Sequence, residues 1–76
     1  MGKPETRPAA VRLVVTNRRS ARTTLVLEPA GEIYRLDPGE SRVVVYDGDP
    51  EPRLSVDVGE GETKIWEEGP GRLALE

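Results

Sequence analysis

The stretch Glu32-Ile33-Tyr34-Arg35-Leu36-Asp37-Pro38-Gly39-Glu40-Ser41-Arg42-Val43-Val44-Val45-Tyr46 decides the fold class, because two short β-rich runs flank a segment that specifies its own turn. In Asp37-Pro38-Gly39-Glu40 the proline presets φ at the first central position and the glycine accepts the positive φ of the second, which predicts a type II turn. Two strands joined this way read as a hairpin.

The same rhythm continues outward in both directions. Glu28-Pro29-Ala30-Gly31 suits a type I turn, Gly59-Glu60-Gly61-Glu62 supplies two permissive residues, and Gly69-Pro70-Gly71 can continue neither a helix nor a central strand. Between them the chain predicts strands near Val11 to Thr16, Thr23 to Glu28, Glu32 to Leu36, Ser41 to Tyr46, Arg53 to Val58, Thr63 to Glu67 and Arg72 to Leu75. No long window carries apolar residues at the helical spacing of about 3.6, so no helix beyond a single turn is expected.

Length and composition bound the architecture. A chain of 76 residues has room for one core, and 36% hydrophobic with 33% charged residues keeps it out of the low-hydrophobicity, high-net-charge range of disordered chains. The reading is one all-β domain over residues 10–76 behind a flexible arm, residues 1–9. A small antiparallel β-sandwich of six or seven strands, immunoglobulin-like or cupredoxin-like, is the first expectation, and a small SH3-like or OB-like barrel is the alternative.

Alternation assigns the faces. Val11, Leu13 and Val15; Leu25 and Leu27; Val43 and Val45; Leu54, Val56 and Val58; and Leu73 and Leu75 keep period two and are expected in the core. Val14, Val26, Ile33, Val44 and Ala74 then fall on the opposite face, which a fully solvated sheet face would not need. A symmetric dimer over Val14 and Val44 is one way to cover it. Ile65 and Trp66 are adjacent, so only one can point inward; Trp66 is expected inside because tryptophan buries the larger area.

The residues needed for most catalytic designs are missing. Histidine and cysteine are absent, which removes the usual neutral-pH general base, the thiolate nucleophile, the main zinc and copper ligands and any disulfide. No serine lies in a G-x-S-x-G elbow. Asp47-Gly48-Asp49-Pro50-Glu51 lacks the EF-hand spacing and reads as an acidic turn. The expectation is therefore a protein that is not an enzyme and takes no cofactor or metal.

Charge is divided along the chain. Residues 1–25 carry a net +5 and the remainder a net −8, and Arg18, Arg19 and Arg22 crowd the first predicted hairpin loop, Asn17-Arg18-Arg19-Ser20-Ala21-Arg22. Those three arginines are candidates for a phosphate or an acidic partner. A pI near 5.0, 4% aromatic residues and the lack of an RRM, KH or cold-shock motif argue against nucleic acid. The function expected is a non-catalytic protein-interaction module, with self-association as one of its modes; the alternatives are a structural component of a larger assembly and a weak nucleotide or nucleic-acid binder through Arg18, Arg19 and Arg22. The opening segment lacks an apolar signal region and no stretch is long and apolar enough for a membrane helix, so the expected location is cytoplasmic.

The run Glu28 to Glu40, written E-P-x-G-E-x-Y-x-L-x-P-G-E, resembles one found in short uncharacterised bacterial proteins. That resemblance covers only the middle of the chain and implies a small β domain. The L-x-P-G-E turn is also similar to turns of cupredoxin-like and immunoglobulin-like sandwiches, although neither the copper ligands of the first nor the cysteine and tryptophan framework of the second is present.

Overall fold

A computed structural model describes residues 10–48, 53–69 and 71–76; the arm expected over residues 1–9 and most of the acidic 47–51 segment lie outside the described residues. Seven strands run in the order β1 (Ala10–Thr16), β2 (Thr23–Glu28), β3 (Glu32–Leu36), β4 (Ser41–Gly48), β5 (Leu54–Val58), β6 (Glu62–Glu67) and β7 (Gly71–Leu75). They form a three-stranded sheet, β1-β4-β7, and a four-stranded sheet, β3-β2-β6-β5. This is the expected two-sheet sandwich, and the barrel alternative does not hold. All ladders are antiparallel except β2 with β6, which pair in parallel from Thr24↔Glu62 to Glu28↔Trp66.

The type II turn is present: Gly39 has φ +81 and Glu40 N–H donates to Asp37 C=O at 2.9 Å. The hairpin expected of it is not, because β3 belongs to one sheet and β4 to the other. Type II geometry splays the flanking strands instead of following their right-handed twist, so the turn suits a corner between sheets better than a hairpin. The loop between β1 and β2 likewise crosses between sheets. The hairpins are β2–β3 and β5–β6.

The core lies between the sheets and consists of Leu25, Leu27, Leu36, Val44 and Ile65, with Tyr46 equally buried and Leu13, Val15, Tyr34, Leu73 and Leu75 packed at its margin. Each fully buried aliphatic side chain contributes about 1.5–3 kcal/mol. Three expected faces are corrected here. On β4 the inward residues are Val44 and Tyr46, each 1% exposed, so Val44 is core and Val43 and Val45 point outward. Tyr46 brings the most area on its strand, and a run of three valines lets the register follow it. The ring sits where a side chain at Gly71 would otherwise be: a Cβ there would lie 2.6 Å from Tyr46 Cε1 and Cζ, and Gly71 has φ +138.

On β6 Ile65 is fully buried and Trp66 is half-buried on the outer face, the reverse of the expected pair. On β5 Val56 is 50% and Val58 78% exposed, although their register with Ile65 and Thr63 puts them on the inward side. A three-stranded sheet leaves part of a four-stranded one open, and β5 is an edge strand. On the outer face of the smaller sheet Val14 is 63% exposed, opposite Val43. Arg12 of β1 reaches across β4 to Glu76 beyond β7, with Nη2 2.6 Å from Oε1 and Nη1 also paired with Oε2. The hydrogen bonds and charge of Glu76 raise the Arg12 pKa above its ordinary value.

Candidate functional site

Three connections meet at one end of the sandwich: the arginine loop between β1 and β2, the corner at Pro38-Gly39, and the β5–β6 turn at Gly59 to Gly61. Asn17 joins the first two. It is 4% exposed, its Nδ2 donates to Ala21 C=O at 2.9 Å and to Leu36 C=O at 3.0 Å, and its Oδ1 accepts from Arg19 N–H at 2.9 Å. Its backbone N–H donates to Glu40 C=O and its carbonyl accepts from Gly39 N–H at 2.7 Å. A buried amide with every group satisfied fixes the surrounding backbone, since leaving any of these groups unpaired is costly. The loop is shaped from within by a residue that sequence reading passed over as ordinary.

The three arginines take different roles on this frame. Arg22 Nε donates to Asp37 Oδ1 at 2.9 Å, an exposed ion pair tying the loop to the corner. Arg18 and Arg19 are exposed, make no ion pair with another described residue, and border a cleft of about 260 Å³. Val15, Leu25, Leu36, Val58 and Glu62 also line this cleft, Leu25 and Leu36 with almost no exposed surface. Its lining thus combines aliphatic residues with Arg18, Arg19 and Glu62.

Val14 and Val44, expected to share one docking face, lie on opposite sides of the smaller sheet: Val14 is solvent-facing and Val44 is inside. The sequence reading also missed Val58, expected in the core and found exposed and lining the cleft. Asp57 and Glu60 on either side of it were the available signal that this end of β5 is solvated.

At the opposite end a second depression of about 240 Å³ lies beside the cis Glu28–Pro29 peptide and is bordered by Glu28, Glu32, Glu67 and Arg72. Among the described residues no group of three or more acidic side chains is placed to hold a metal ion, and no helix is long and apolar enough to cross a membrane. Nearby, Tyr34 Oη donates to Glu32 Oε1 at 3.0 Å and Arg42 stands 5.9 Å from the Tyr34 ring centre. The bond to Glu32 raises the Tyr34 pKa above its ordinary value. Compared with protein-family models, with curated proteins and with solved structures, the chain finds no match.

Proposed function

We propose that this chain is a non-catalytic protein-interaction module whose cleft receives an acidic, partly apolar segment of another protein. The observation that carries this reading is the pair Arg18 and Arg19, on a loop whose backbone Asn17 fixes, without an ion pair to another described residue, and lining a cleft together with Val15 and Val58. Exposed guanidinium groups favour carboxylates through charge-assisted hydrogen bonds, and the exposed Val58 beside them rewards burial against an aliphatic side chain. Charge complementarity of this kind governs orientation and association rate more than affinity. The lack of histidine and cysteine supports a role without catalysis, and a cysteine-free composition suits a reducing compartment such as the cytoplasm.

The test is a titration with a short peptide of alternating glutamate and leucine, followed by backbone NMR. Shifts should gather at Asn17 to Ala21 and Val58 to Thr63. Replacing Arg18 and Arg19 together by Ser should weaken binding by at least about tenfold while stability stays within about 0.5 kcal/mol. Shifts of the same residues with inorganic phosphate alone, at equal strength, would favour a phosphate or nucleotide ligand instead. No shifts at the cleft with either probe would remove the reading.

A further inference from the structure

The structure also bears on how this chain meets a second copy of itself, independently of the cleft. Four strands are sheet edges: β1, β7, β3 and β5. On an edge strand, every second residue turns its backbone N–H and C=O toward open solvent, and those residues decide what can pair there.

For β5 the parity is fixed by the bonds that flank its ladder. Gly59 N–H donates to Glu62 C=O at 2.7 Å and Glu68 N–H donates to Arg53 C=O at 2.9 Å, so alternation directs Ser55 and Asp57 toward β6. Leu54, Val56 and Val58 therefore present their backbone groups outward. All three are aliphatic, and Val56 and Val58 are among the most exposed large hydrophobic residues of the described chain.

Two of the other three edges are guarded by charge. On β1 the bond from Asn17 N–H to Glu40 C=O sets the parity so that Arg12 is among the outward residues, a charge of the kind that guards natural edges. On β3 either parity turns out a charged residue, Glu32 or Arg35. On β7 the outward set is Gly71, Leu73 and Leu75, uncharged like that of β5, but Leu73 and Leu75 are half-buried against the core and leave less apolar surface to cover.

We propose that two copies pair antiparallel through β5, about a two-fold axis at Val56, to make one continuous eight-stranded sheet. That axis sets Val56 against Val56 and Leu54 against Val58 of the second copy, all at outward-facing positions, so the hydrogen-bonding groups meet in register. Ser55 falls opposite Asp57 of the second copy, and Asp57 already has Lys64 beside it on β6. Arg53 falls opposite Gly59 of the second copy and diagonal to its Asp57 on the same sheet face, so opposite charges are neighbours at both ends. Apolar residues face apolar, polar face polar, and the exposed valines gain neighbours.

Sedimentation equilibrium on the full chain between about 10 μM and about 1 mM tests this together with amide exchange. The mass should rise from 8.4 kDa toward twice that value. Over the same range the Val56 and Val58 amides should gain at least about tenfold protection while those of Ser55 and Asp57 change little. Val56→Pro removes an N–H that the single copy does not use, so the variant should stay folded and remain at 8.4 kDa. If it fails to fold, Val58→Lys serves the same purpose. A wild type that stays at the lower mass throughout overturns the proposal. So does association that leaves the Val56 and Val58 amides unprotected, or that Val14→Lys abolishes.

Discussion

The Asn17 side-chain amide and the Leu36 carbonyl, 3.0 Å apart, join the β1–β2 loop to the end of β3 inside the protein. Replacing Asn17 by Ala leaves the Leu36 and Ala21 carbonyls and the Arg19 N–H without their partner. We expect a loss of about 1–3 kcal/mol by denaturant unfolding and faster amide exchange at Arg19. Unchanged exchange there would mean that the loop keeps its shape without the amide.

Gly71 and Gly39 both have positive φ but face different surroundings. At Gly39 nothing lies within 4 Å of an added Cβ, so Gly39→Ala carries only the backbone penalty, about 1–2 kcal/mol. At Gly71 the added methyl also meets the Tyr46 ring, and overpacking costs a further ~1–3 kcal/mol. The measured check is a cycle with Tyr46→Leu: the cost of Gly71→Ala should shrink in that background.

Val14→Lys places a charge on an exposed outer position and should change stability by no more than about 0.5 kcal/mol. Val44→Lys buries an unpaired ammonium beside Leu25 and Ile65 and should abolish cooperative unfolding. Circular dichroism melts of the two variants separate these outcomes; equal melts would contradict the face assignment of β4.

Tyr34 should titrate above its ordinary value near 10, because its hydroxyl donates to Glu32 and ionisation would set two negative charges side by side. A raised folded pKa means that the contribution of this bond is complete below pH ~10 and fades as pH climbs through the folded value. NMR titration of the ring should show the shift fall in Glu32→Gln.

The strands and most turns were legible because each is a local property. Proline and glycine set their own dihedrals, and valine-rich runs between them have little alternative to extended backbone. What escaped was non-local. Val43-Val44-Val45 and Ile65-Trp66 each offer both faces an apolar residue, so only the opposing sheet decides which one is buried. The exposure of Val56 and Val58 depends on how far three strands extend over four, which no alternation pattern contains. The arginine loop could be read as basic, yet the division of labour within it could not, since Arg22 is claimed by Asp37 from a distant turn. Asn17 resembled any loop asparagine until its carbonyl partners were assembled around it.

The parallel β2–β6 pair has a kinetic consequence. Neither sheet comes from one uninterrupted stretch of the chain: the path enters the smaller sheet at β1, β4 and β7 and the larger between them. Cutting the chain anywhere from β2 to β6 would leave both sheets incomplete, so no fragment carries a finished half and unfolding should be all-or-none. The β2–β3 and β5–β6 hairpins can form early, in microseconds, but their union along β2 and β6 must wait for the whole intervening segment to close. Folding should therefore run in the slow range of small β proteins, about milliseconds to seconds, with mutations at the Val26–Lys64 and Leu27–Ile65 seam slowing it most.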